Sequence, residues 1–169
     1  MAWCMFPRPN NLLNMSEKIY PPAMHTAEHI LGGTMVRMFG CGRAVTTHLE
    51  RKKSKVDFDF RTVGRNLTAE EVEAVVRTVN EQIDRHQAVT TQQLPYAAAA
   101  AEFDLSRLPE GAVEGPETLL RIVCVGDYDR CPCIGEHVAN TAEIGHLRMI
   151  STDYNPDSGI LRMRFKLDE

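Results

Sequence analysis

Two imidazoles, His25 and His29, stand four positions apart in H-T-A-E-H, and the carboxylate of Glu28 directly precedes the second. On an α-helix of 3.6 residues per turn such a pair shares one face. Zinc accepts imidazole nitrogen, and a helix-borne pair of this kind can hold the ion while the neighbouring carboxylate serves as general base. The same spacing recurs far along the chain, in Cys133 and His137 of C-P-C-I-G-E-H. Four ligands arriving as two local pairs is a common way to build a tetrahedral zinc site, and a thiolate favours zinc over magnesium or calcium. The helix-borne protease arrangement takes a carboxylate as third ligand, so the cysteine points away from it. Cys131 offers an alternative sulfur, and Glu136 repeats the position of Glu28 just ahead of a histidine. Either carboxylate is placed to act as a base or to hold a hydrogen bond to the ligands. His48 and His146 read as ordinary strand residues.

Several elements must carry these residues. Pro21 and Pro22 open a segment that Gly40 closes, which predicts a helix through Phe39 with H-T-A-E-H inside it. His25, His29, Gly32 and Val36 fall on one face of that helix. Gly32 and Gly33 each cost about 1 kcal/mol relative to alanine in a helix, so they predict a close neighbour, either a packed strand or a substrate pocket. A-V-T-T-H-L and K-V-D-F-D-F alternate at period two around the basic turn E-R-K-K-S, which predicts a hairpin with Val56, Phe58 and Phe60 turned inward. Thr68 and Glu71 form a capping-box signature ahead of an amphipathic run of apolar residues at 72, 75, 76, 79 and 83.

Downstream, a strand is expected around 88–92, a short helix over the alanine run 97–101, and a buried strand at L-L-R-I-V-C-V. Two last strands flank T-D-Y-N-P-D-S-G, and in the second Leu161, Met163 and Phe165 alternate with Arg162, Arg164 and Lys166. Cys133 and His137 fall in a loop between strands. Hairpins and helices without a regular strand-helix repeat predict an α+β fold, a largely antiparallel sheet packed with helices.

The chain has 169 residues, a quarter of them charged, which fits one domain over 19–169 with a peripheral extension at 1–18. Five cysteines, odd in number and irregularly spaced, predict a reducing, cytoplasmic setting. The first residues lack the basic start and apolar core of a secretory signal, and no apolar run approaches the ~18 residues needed to span a membrane. A formal charge of −4 argues against indiscriminate coating of nucleic acid. A local cluster, Arg51, Lys52, Lys53 and Lys55 at the hairpin tip, is nevertheless able to hold a phosphate backbone.

Four strings together go further: H-x-x-x-H at 25–29, F-D-F followed by L-T-x-E-E-V at 58–72, C-x-x-x-H-V at 133–138, and N-T-A-E-I-G at 140–145. In order and spacing they resemble the editing domain shared by alanyl-tRNA and threonyl-tRNA synthetases and its freestanding relatives, which hydrolyse mischarged aminoacyl-tRNA in trans. The resemblance implies that His25, His29, Cys133 and His137 hold Zn2+, that tRNA is the partner, and that water attacks the ester joining the amino acid to the terminal ribose. Zinc lowers the pKa of water from 15.7 to about 7 and polarises carbonyls. Four protein ligands, however, usually mark a structural zinc, whereas a catalytic one keeps a position open.

The chain departs from the family where C-I-G-E-H stands for the usual C-G-G-T-H, so Ile134 and Glu136 are larger than their counterparts and fit a small misacylated residue less well. Asp57 stands where the family has a basic residue. Two alternatives follow from these departures and from the closed ligand set: a hydrolase of the same fold acting on a small ester or amide, and a non-enzymatic zinc-stabilised module that binds RNA or protein.

Overall fold

The computed structural model describes residues 20–106, 108 and 110–168, so the peripheral extension expected at 1–18 lies outside the described residues. Pro22 takes the first turn of α1 (Pro22–Phe39), where its missing N–H leaves nothing unbonded. Gly40 closes the helix at φ 65°, a left-handed conformation that carries its N–H to Val36 O at 3.0 Å. No side chain caps the start. Burial holds the helix instead, since every residue from Met24 to Met35 except Glu28 is buried. It is therefore a core helix buried on all sides, and Val36 emerges beyond the buried stretch.

The hairpin forms as β1 (Thr46–His48) and β2 (Ser54–Asp59). Next, α2 (Ala69–Asp84) opens with the expected capping box: Thr68 Oγ1 accepts from Glu71 N at 3.1 Å, and Glu71 Oε2 accepts from Thr68 N at 2.8 Å. A cap of this kind is worth about 1 kcal/mol. Its apolar stripe buries Val75, Val79 and Ile83. The final strands, β6 (Leu147–Asn155) and β7 (Ile160–Leu167), complete a four-stranded antiparallel sheet in the order β1-β2-β7-β6. Val56, Phe58, Leu161, Met163 and Phe165 are fully buried in one cluster with α1 and α2, so the predicted inner face is the core face.

Where one sheet was expected, the antiparallel strands divide into two. A second, three-stranded sheet has the order β3-β4-β5, built from β3 (Val89–Pro95), β4 (Leu119–Val125) and β5 (Asp129–Pro132), with α3 (Tyr96–Glu102) between its first two strands. The short β5 carries no apolar alternation, which is why the sequence reads there as loop. It lies against α1 so closely that a Cβ added at Gly33 would stand 2.6 Å from Asp129 Oδ1. A packed strand, not a pocket, explains the glycine at that position. The string N-T-A-E-I-G is a stage for the loop: Asn140 caps a 3-10 turn at Thr141–Glu143, accepting from Ala142 N at 2.8 Å, while Glu143 accepts from Asn140 N at 2.9 Å. The fold is α+β with antiparallel sheets packed by helices.

Candidate metal centre

His25 and His29 stand one turn apart on α1 with their rings edge to face at 5.0 Å. The loop that leaves β5 brings His137 onto them, stacked on His25 at 4.2 Å and edge-on to His29 at 4.5 Å. Cys133 Sγ lies 3.4 Å from His25 Nε2 and 3.5 Å from His137 Nε2. One donor atom from each of the four residues falls within 4.8 Å of the others. Zinc bonds of 2.0–2.3 Å in a tetrahedron require donors about 3.3–3.8 Å apart, so small side-chain adjustments suffice to hold an ion.

Neighbouring groups aim the donors. Arg121, on β4, donates from Nη1 to Cys133 O and Gly135 O, both at 2.8 Å, pinning the loop on either side of Ile134. Thr26, fully buried on α1, donates its hydroxyl proton to Pro22 O at 3.1 Å. Its oxygen is then left to accept from Val138 N at 3.3 Å and from His137 Nδ1 at 2.9 Å. That order puts the proton of His137 on Nδ1 and turns the lone pair of Nε2 toward the cluster. Behind His29, the carboxylate of Asp129 is ion-paired to Arg43.

Electrostatics keep the donors in the state a metal requires. Burial, reinforced by the charge of Arg121, lowers His25 to about 4. Burial, then repulsion from His25, takes His137 to about 3. His29 lies well below its ordinary value, again through burial first and then through His137 and His25. All three rings are therefore neutral at pH 7. Burial pushes the Cys133 thiol up, so it is the donor that must give up a proton. Glu28 is raised to about 7 by burial, opposed by Arg43 and reinforced by Asp129. Neutral imidazoles around an ionisable thiol suit zinc better than a hard cation, and the residues present fit that ion.

Of the two carboxylates singled out in the sequence, only Glu28 adjoins the cluster, its Oε2 3.9 Å from His29 Nε2 and its side chain 12 % exposed. Glu136 is exposed. Cys131 sits in β5 outside the four-donor group, its thiol pushed up to about 12 by burial. His48 and His146 pair with Glu50 and Asp84 at 2.7 Å, away from the cluster. Ile134 is 80 % exposed, so its bulk projects into solvent and does not crowd the donors.

The basic tip stands apart as well: Arg51, Lys52 and Lys53 are exposed, Lys55 half-buried, and none of the four joins an ion pair among the described residues. Asp57 is buried and accepts from Arg162 at 2.8 and 2.9 Å, so the charge of that arginine is neutralised by the carboxylate. Sequence reasoning missed Thr26, Arg43, Arg121 and Asp129. The signal for Arg121 was a cation inside an otherwise apolar strand, a position that demands a partner.

The family described as threonyl and alanyl tRNA synthetase second additional domain matches residues 120–160, which include Cys133 and His137. The chain is 31 % identical over 141 residues to an alanine-tRNA ligase of Ignicoccus hospitalis, covering 83 % of this chain and 15 % of that protein. It is 27 % identical over 161 residues to that of Thermococcus kodakarensis, covering 93 % of this chain and 17 % of that protein. With the ligase of Methylacidiphilum infernorum the identity is 32 % over 145 residues, covering 83 % and 15 %. The chain thus spans about a sixth of the length of these relatives. No helix of the described residues is long and apolar enough to cross a membrane. The chain belongs to the alanyl- and threonyl-tRNA synthetase editing-domain family.

Proposed function

We propose that the protein is a zinc-dependent aminoacyl-tRNA deacylase, hydrolysing the ester of mischarged tRNA in trans in the cytoplasm. The observation that carries this reading is the convergence of His25, His29, Cys133 and His137 from two distant segments, in a chain similar to alanine-tRNA ligases. Zinc held by these four residues would supply positive charge beside the substrate, stabilising the negative charge that develops on the ester oxygen. Because four protein donors fill a tetrahedral shell, the proton of the attacking water falls to a side chain. Glu28 serves as that base: a carboxylate raised to about 7 is poised for proton transfer at neutral pH. Water attacks the ester carbonyl as Glu28 takes its proton, and the proton passes to the ribose oxygen as the carbon–oxygen bond breaks. Glu136, exposed on the ligand loop, meets the substrate at the mouth of the site.

A panel of mischarged tRNAs, assayed with and without chelator, tests the reading. Hydrolysis of at least one charged species, lost on chelation and restored by zinc, is expected. Action on free esters alone would favour the small-ester alternative, and collapse of the fold on chelation without any turnover would favour a structural zinc. In the same assay Glu28→Gln is expected to lower turnover by about 100-fold or more; unchanged turnover would remove Glu28 from the chemistry.

The tip residues Arg51, Lys52, Lys53 and Lys55 are assigned to the phosphate backbone of tRNA, on the ground that they cluster along one hairpin, three of them exposed, and none forms an ion pair among the described residues. Neutralising three of them is expected to lower the slope of log affinity against log salt by roughly two to three. An unchanged slope would dismiss the tip.

A further inference from the structure

Each imidazole of the centre has a second nitrogen, and the protein treats the three differently. That of His137 is bonded to Thr26. Those of His25 and His29 are buried without a hydrogen-bond partner, and so is Asp129 Oδ2. The last two face each other: His29 Nδ1 and Asp129 Oδ2 are 3.8 Å apart, with side chains 4 % and 3 % exposed. Buried polar atoms are rarely left unpaired, and two that point at one another across a gap this small satisfy each other after a slight rotation of either side chain.

The carboxylate is held ready by groups other than the histidine. Its Oδ1 takes the guanidinium of Arg43, which is itself anchored by donating to Arg130 O at 3.2 Å. Gly33 makes the room, because any larger residue there would place its Cβ 2.6 Å from Oδ1. Strand β5, its arginine clamp and the helix glycine thus fix one oxygen and leave the other aimed at His29.

We infer that Asp129 is the positioning residue of the metal centre, accepting the Nδ1 proton of His29 so that the Nε2 lone pair faces the ion. Metal-bound histidines commonly donate their far nitrogen to a carboxylate, which sets tautomer and ring orientation together. Arg43 acts one step further out, keeping the carboxylate ionised and turned. The inference rests on the zinc reading given above.

The test is zinc affinity of the full chain, measured by competition with a chromophoric chelator. Asp129→Asn keeps the shape of the side chain but cannot accept from both Arg43 and His29. With its carbonyl on Arg43, its amide N–H meets His29 Nδ1 and drives the ring proton to Nε2, removing the donor lone pair. Zinc binding is expected to weaken about 10- to 100-fold. A folded variant that binds within about twofold of the wild type would overturn the inference. A second measurement needs no variant: the ring nitrogen shifts of His29 in the chelated wild-type protein are expected to report a proton on Nδ1, and a proton on Nε2 would overturn the inference equally. A merely structural Asp129 would lower the melting temperature of the variant without moving affinity or tautomer, which also counts against it. Absence of zinc binding by the wild type would sink both this inference and the reading it rests on; unchanged affinity in the variant sinks this one alone.

Discussion

Gly135→Ala is expected to weaken zinc binding by on the order of 100-fold, at the upper end of what loss of an outer metal partner costs. An added Cβ would stand 2.6 Å from His25 Nδ1, closer than atoms of packed side chains approach. Neither side can yield cheaply. His25 is buried and boxed in by the rings of Tyr20, His29 and His137. The loop opposite is pinned at Cys133 O and Gly135 O by one guanidinium. Relief therefore moves either a ligand histidine or the segment that carries Cys133 and His137, and both displacements open the donor set. Gly115→Ala is the control, because an added methyl there meets nothing within 4 Å. Competition with a chelator reads both variants; wild-type affinity in Gly135→Ala would mean that the ion is not held by this donor set.

Zinc uptake at pH 7 is expected to release about one proton per ion, and affinity to fall about tenfold for each pH unit between 8 and 6, about 100-fold in all. The sign follows from which donors still carry protons. His25 at about 4 and His137 at about 3 are neutral throughout that range, as is His29, so the imidazoles release nothing. Cys133, held above its ordinary value by burial, is still a thiol and must deprotonate to bind. Lowering the pH favours the thiol, hence the one-proton slope. Ordinary histidines, near 6.5, would steepen the slope below that pH. Calorimetry in buffers of differing ionisation enthalpy counts the protons, and Glu28→Gln removes any fraction that the carboxylate at about 7 adds. Release of three or more protons would mean that the imidazoles are exposed and charged before the metal arrives.

Both outcomes depend on contacts that a linear reading does not contain. The helix bearing His25 and His29 was legible, because proline at its start and glycine past its end are local signals. So were the hairpin, the capping box of α2 and the inward face of β7, since alternation and capping act between residues a few positions apart. The four candidate ligands were also legible as two pairs of matching spacing. The second sheet was not, because β5 is a short polar strand that exists through its ladder to β4 and its approach to Gly33. Glu28 and Glu136 looked alike in sequence, and only burial separated them.

Residue types and spacing alone pointed to four candidate metal donors in two matching pairs and to the elements of an α+β fold. The tertiary structure alone decided that the donors meet, that Arg121 and Thr26 aim them, and that Asp129 stands behind His29. The physical reason is range. Helix caps and strand alternation are set by neighbours along the chain, whereas the charge state and orientation of a buried side chain are set by whatever the fold brings against it from a hundred residues away.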